Sequence, residues 1–412
     1  MASVRMVRRG AGRVPRRTRA AAALLVLLAA GTSGARAAPF IPHDEKLVLE
    51  HIPEARDAAG ARLRALHTAL LADPTDLDLA LRTAEADMAQ ARAHGDPRFL
   101  GRADAALAPW PLGPATPACV LLLRATMLQS THQFDASLAA LGQVLRAEPQ
   151  NTQAWLTRAA VHQAQGRIDA ARDDCGHFAT IAVGLLADSC VAGVMAASGH
   201  AKMALRALTI AAEAGSGAPV GARLYALTIA AETAAALGDA TAADRFGQAL
   251  ALDGSDPYLL AAWSDFLLDH GGAAEVANLL QDSKRIDPLL LRLALAERAL
   301  GRPAAEEHIA DLAARFDAAR SRGDTVHRRE EARFRLNLAN DAPGALALAE
   351  ANWGVQREPA DARILLESAL ATRDSAAARP VAQWMQETGL EDVRLNALLA
   401  QIAAMEAGRG RA

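Results

Sequence analysis

Eleven histidines and 47 carboxylates are the groups in this chain with the means to do chemistry. His94, His132, His162, His200 and His270 each fall at or near the end of an apolar helical stretch. An imidazole there can interact with the last carbonyls and the negative end of the helix dipole, so surface or capping histidines are expected. His43-Asp44-Glu45 with His51 offers metal-donor types, but no paired histidines at metal-binding spacing accompany them. Glu306-Glu307-His308 and His327-Arg328-Arg329-Glu330-Glu331 lack two histidines four residues apart, and read as charged helix faces. Asp173-Asp174 and Glu306-Glu307 are adjacent carboxylates. On a helix, neighbours diverge by about 100° and do not converge on one substrate atom. A helical glycosidase would need convergent acids in an aromatic cleft, and five Trp and two Tyr scattered along the chain do not suggest one. The sequence has no Gly-x-Ser-x-Gly, no phosphate-cradling glycine loop and no dinucleotide fingerprint. The expectation is a non-enzyme with no catalytic, cofactor or metal residues.

The composition says which elements carry these groups. Of 412 residues 51% are hydrophobic yet only 4% aromatic, with Ala and Leu dominant. Ala and Leu are strong helix formers, and small side chains let helices approach closely. Strand-favouring residues are too thin for a large sheet. The expected fold class is all-α.

A period of about 34 residues runs beneath the sequence. Leu121-Leu122-Leu123-Arg124-Ala125 aligns with Trp155-Leu156-Thr157-Arg158-Ala159, Ser137 with Ala171, and His132 with Gly166. Pro149 closes the first unit. Gly199, Gly238, Gly271 and Gly301 continue the series at spacings of 33, 39, 33 and 30 residues from Gly166. Pro257 and Pro288 mark boundaries around 263–280; further pairs are expected at 332–338 with 345–353, and 362–370 with 380–388. Upstream, a long helix over 77–94 is broken by Gly95-Asp96-Pro97 and resumes at 98–107. Each hairpin has an apolar face it cannot bury alone, so stacked neighbours share one core.

At Trp155, Ala159, Gly166 and Ala171, and again at Leu121, Ala125, Ser137 and Pro149, the chain resembles the tetratricopeptide repeat family. The resemblance implies an α-solenoid of stacked helix-turn-helix (TPR) repeats. It also implies that Trp155, in the large-residue position, lies buried between the helices of its own unit and the one before. Three further stretches resemble a group of exported bacterial tetratricopeptide-repeat proteins with no assigned activity. They are Gly95-Asp96-Pro97-Arg98-Phe99-Leu100-Gly101, His327 to Phe334, and Asn352-Trp353 with Gln356-Arg357-Glu358-Pro359. The expected division is an export signal at 1–37, an N-terminal helical region at 38–115, a repeat array at 116–316 and a TPR-like helical region at 317–412.

A subset of the repeat family grips a carboxylate with Lys and Asn, but the matching positions here hold Leu122, Thr126, Thr157, Leu186 and Cys190. That clamp is therefore not expected. The inner face of the two best repeats presents Leu122, Thr126, Gln129, Leu156, Ala160 and Gln163, an apolar surface with amides suited to a peptide. The expected partner is a protein or peptide bound in this groove. The alternative is a ligand- or metal-binding protein, or an enzyme, with a site outside the repeats near 43–54 or 321–334.

Residues 1–37 carry eight arginines and no acid, then a short apolar run and the small-x-small site Ala35-Arg36-Ala37. This reads as a cleavable export signal, with cleavage after Ala37 and a periplasmic or secreted product. Without it, 36 basic groups face 47 acidic ones. That acidic surface argues against nucleic acid, and no other stretch reads as a membrane span.

Export would place Cys119, Cys175 and Cys190 in an oxidising compartment. The chain must reverse between Cys175 and Cys190, and Ala182-Val183 is the midpoint. In an antiparallel hairpin, residues equidistant from the turn share a height, so a 175–190 disulfide is the candidate, with Cys119 free.

Overall fold

The computed structural model describes residues 44, 46, 47, 58–113 and 115–409. The expected export segment, and His43, Glu45 and His51, lie outside the described residues. Contacts divide the chain into residues 1–53 and 54–412, and everything below concerns the second unit.

Twenty α-helices follow one another, with no strand among the described residues. They are α1 (Ala58–Ala72), α2 (Leu77–His94), α3 (Arg98–Ala106), α4 (Ala118–Ser130), α5 (Phe134–Ala147), α6 (Thr152–Ala164) and α7 (Ile168–Ile181). Next come α8 (Leu185–Ala196), α9 (Ala201–Ala214), α10 (Val220–Leu237), α11 (Ala242–Leu252), α12 (Pro257–Asp269), α13 (Ala273–Leu279) and α14 (Asp287–Ala299). The last are α15 (Ala304–Ser321), α16 (Arg328–Asn337), α17 (Ala342–Trp353), α18 (Pro359–Thr372), α19 (Arg379–Thr388) and α20 (Val393–Arg409).

From α2 to α19 each even-numbered helix pairs with the odd one after it, giving an α-solenoid of TPR-like hairpins, and α20 packs on α18. Local chemistry sets the ends. Asp76, Asn151, Asp256 and Asp341 accept backbone N–H bonds three residues on and start α2, α6, α12 and α17. The turn inside a hairpin has a left-handed residue that lets the next N–H reach back five residues. Examples are Arg167 N to His162 O at 2.9 Å and Gln133 N to Leu128 O at 2.8 Å. At most of these turns the residue is glycine; at His132 (φ 56°) and Arg373 (φ 57°) it is not.

Seven residues before the turns from His132 to Gly301 stands a small, buried residue: Ala125, Ala159, Ala192, Ala231, Ser264 and Ala294. There the two helices of a hairpin come close. Ser137, opposite Ala125, donates its hydroxyl to the Ala125 carbonyl at 2.8 Å. Ser264 takes a small position in this series, and its buried hydroxyl has no partner among the described residues. Trp155 departs from expectation. It is half-buried, because its indole N–H reaches out to Pro149 O at 2.8 Å. Its ring lies against the His177 imidazole (4.0 Å) and the Arg158 guanidinium (4.4 Å).

The hairpin of α2 and α3 lies within the expected N-terminal region, and the expected boundary at 316 falls inside α15. Helix α10 just reaches the length and mean hydropathy of a membrane span, as a core helix can. Its buried Ala222, Ala226, Ala230, Ala231 and Ala234 pack within the array.

The even-numbered helices turn inward. α2, α4, α6, α8, α10 and α12 each touch the next, and α12 touches α2 again. α14, α16, α18 and α20 continue the path, and α20 returns to α10. The solenoid thus completes a superhelical turn in about six hairpins and lies against itself.

Candidate functional site

Of the six groove residues expected from sequence, Leu122, Thr126 and Gln129 stand on α4, and Leu156, Ala160 and Gln163 on α6; all are half-buried. They do not form one open strip. Leu122 and Leu156 pack against the hairpin cores and are part of the helix seams. The Gln163 amide oxygen and, from α10, Ile229 both lie beside Gly193 on the next inner helix, α8. Only Thr126 and Gln129 open onto a cavity, of about 350 Å³, which they share with Arg92, His132, Gln356 and Glu358. Its far wall comes from the loop 354–358, one superhelical turn away, so the groove is roofed over by the chain's own C-terminal hairpins.

That roof is charged, and sequence reasoning missed it. Glu330 and Glu331, read as a solvated face, are buried, and so is His308, whose imidazole meets buried Glu297 at 2.6 Å. Burying a carboxylate without a partner is expensive, so partners converge. Arg329, on the first turn of α16, lies 3.2 Å from Glu330 and 3.4 Å from each of Glu358 and Asp361. Asp361 also accepts from the Asn352 amide at 2.8 Å and, through its other oxygen, from the Glu358 N–H at 2.9 Å. The second bond is half of a capping box that starts α18. Burial pushes the Asp361 carboxyl up to about 6 against the pull of Arg329, and neighbouring Glu358 adds to the rise. The motifs His327 to Phe334 and Asn352 to Pro359 thus meet in space.

A second group crosses between inner helices. Asp265 on α12 receives Arg292 from α14 and Arg333 from α16, both at 2.6 Å. Burial alone would raise its pKa; the two guanidinium groups outweigh that and hold it well below the usual range. Asp269, one turn on, pairs with Arg363 of α18 at 2.8 Å and with Arg394 of α20. Between these groups the Tyr258 hydroxyl donates to Glu232 at 2.8 Å. Burial lifts Glu232 to about 7; the Tyr258 bond lowers it, and the negative field of Glu358 adds to the rise. Tyr258 keeps 61% of its surface exposed to the same interior. Within the alternative site at 321–334, Arg329, Glu330, Glu331 and Arg333 are engaged in ion pairs.

Cys175 and Cys190 are bonded, with Cα atoms 5.5 Å apart, tying α7 to α8; Cys119 is a free, half-buried thiol. His94, His200 and His270 are exposed at helix ends, whereas His132 and His162 are half-buried and burial lowers their pKa. Among the described residues no three His, Cys, Asp or Glu side chains come together as a metal site.

No family model and no curated protein matches the chain. Similar solved structures include PilW, a type IV pilus biogenesis factor, at 18% identity and a TM-score of 0.39, over 48% of this chain and 94% of that one. A second is the APC/C complex Cut9–Hcn1, at 16% identity and a TM-score of 0.44, over 83% of this chain and 58% of the other. A third is yeast Tom70, at 12% identity and a TM-score of 0.38, over 86% of each.

Proposed function

We propose that the chain is a periplasmic interaction scaffold that binds a protein or peptide partner through its inner helices. The observation that carries this reading is the cavity between superhelical turns. Thr126 and Gln129 offer hydroxyl and amide groups there, opposite Gln356 and Glu358, an arrangement suited to a peptide backbone and a basic side chain. The acidic balance of the chain beyond residue 37 supports a basic or neutral partner over nucleic acid. The export-type N-terminus supports the compartment, and the 175–190 disulfide suits an oxidising one.

Two measurements test the two halves of the proposal. Mass spectrometry of protein from the cell envelope should find a mature chain starting at Ala38; an intact Met1 chain in the cytoplasm contradicts export. A photo-crosslinking residue at Gln129 should join one partner stoichiometrically, while the same residue at exposed Met203 on the outer helix α9 should not. Equal capture at both positions contradicts groove binding.

A further inference from the structure

Several contacts between distant parts of the chain fall at sequence offsets close to 190 residues. Gly95 lies against Ile286. The Arg357 N–H donates to Ala164 O at 2.8 Å. Gly199 meets Gly389 backbone to backbone, and the Ala201 N–H reaches the Glu391 carboxylate at 3.2 Å, 190 residues away. In each case a turn within a hairpin of the first superhelical turn meets a loop between hairpins of the second. One seam therefore runs along the coil and roofs the cavity at Thr126 and Gln129.

The glycines on this seam differ from those off it. Gly166, Gly199, Gly271 and Gly301 all adopt the left-handed turn, with φ of 71°, 76°, 79° and 64°. A Cβ on Gly271 or Gly301 would meet nothing within 4 Å. On Gly199 it would stand 3.1 Å from the Gly389 carbonyl oxygen, and on Gly166 2.9 Å from both Arg357 Cβ and Trp384 Nε1. At Gly166 and Gly199 the missing side chain supplies clearance as well as conformation. The seam joins turns to loops through single hydrogen bonds and single side-chain contacts, beside the edge contacts of α2 with α12 and α10 with α20, and each contributes less than the shared apolar core of adjacent hairpins. Elements joined by few buried apolar contacts open first.

We infer that this seam is a clasp: the superhelix is held closed by lateral contacts at Gly166, Gly199 and Ala201, and opening it exposes the inner face around Gln129. The link to partner access rests on the groove-binding reading above; the clasp itself does not.

The test substitutes asparagine, the side chain that best tolerates a left-handed turn. In the full chain, Gly166→Asn with Gly199→Asn wedges the seam, and Gly271→Asn with Gly301→Asn carries the same conformational cost off it. With Cys119→Ser and Gln129→Cys added to each, the seam variant should react with a bulky maleimide about tenfold faster, the factor given by 1.4 kcal/mol of lost closure energy. Its radius of gyration by X-ray scattering should rise with helix content unchanged, while the control stays like the parent. Equal behaviour of the two variants, or a seam variant as compact and unreactive as the parent, overturns the clasp. If the wedge costs helix content, Glu391→Ala removes a seam acceptor without adding bulk. Faster hydrogen exchange at Ala201 and Arg357 then supports the clasp, and unchanged exchange at Arg357 overturns it. None of these readouts needs a partner, so failure of the groove reading leaves the clasp standing and the reverse.

Discussion

The first superhelical turn and the C-terminal hairpins that close on it are held together differently. From α4 to α13 the seams between paired helices are mostly small and apolar, with one buried ion pair, Arg158 to Asp174 at 2.5 Å, between α6 and α7. Ala125, Ala159, Ala192 and Ala231 occupy one register, glycine ends most turns, and a disulfide ties α7 to α8. From α14 to α20 the same hairpin architecture is built around charge. Arg292, Arg329, Arg333 and Arg363 neutralise carboxylates on α12, α16 and α18, and a non-glycine residue ends the first helix at Asn340 and Arg373. A repeat that only packs on its neighbours can be periodic. A region that must also meet an earlier turn needs particular residues at particular places, and there the period fades.

The largest expected effect falls in the charged half. Asp361→Ala removes an acceptor of Arg329, strands the Asn352 amide and undoes the capping box of α18. Breaking a buried charged network on one side should cost about 3–5 kcal/mol. Hydrogen exchange should show the loss over α16 to α20, with α4 to α9 little changed. A loss spread evenly along the chain would contradict the division into two differently stabilised halves.

Removing the disulfide comes next. Cys175→Ala with Cys190→Ala opens a loop of 15 residues, worth about 3 kcal/mol on the chain-entropy account. Here the loosening should centre on α7 and α8. Thiol counting on denatured, unreduced protein should find one reactive group, Cys119; three would show that the bond does not form.

A smaller effect separates the halves by pH. Glu232 titrates near 7 in the fold, above the ordinary value of 4.5. The folded state therefore binds its proton more tightly, so the stability this group contributes is full below about pH 4.5. It is lost as the pH rises through 7. Glu232→Gln should flatten this part of the stability profile and be more stable than the parent at pH 8, by about 1 kcal/mol after allowing for partial solvation. Denaturant titrations at pH 5 and pH 8 give the comparison; an unchanged pH dependence would show that Glu232 is solvated in the fold.

The same contrast explains what could be read in the sequence. The all-α class, the hairpin turns and the small residues at Ala125, Ala159 and Ala171 were legible because each is a local requirement repeated at a fixed spacing. Cys175 and Cys190 were legible as a pair because both flank a single turn. The roof over Thr126 and Gln129 was not. It depends on how many hairpins complete a superhelical turn, which follows from small rotations summed over six hairpins and from no single motif. Glu330 and Glu331 were read as solvated because their partners, Arg329 apart, come from other helices or lie a turn away along their own. Trp155 was placed in the right seam but too deep, since nothing local revealed that Pro149 would take its N–H.

The central claim is that the solenoid closes on itself, and the distance between α9 and α19 tests it most directly. Spin labels at exposed Lys202 and Glu387, in a Cys119→Ser background that keeps the disulfide, report that distance in solution. Because Gly199 touches Gly389, the account predicts one narrow distribution centred near about 20 Å, a few residues of helix at about 1.5 Å each plus the label arms. An uncoiled stack would set the labels five or more hairpins apart, roughly 50 Å at about 8–10 Å per helix layer. A distribution centred there would contradict the closed superhelix.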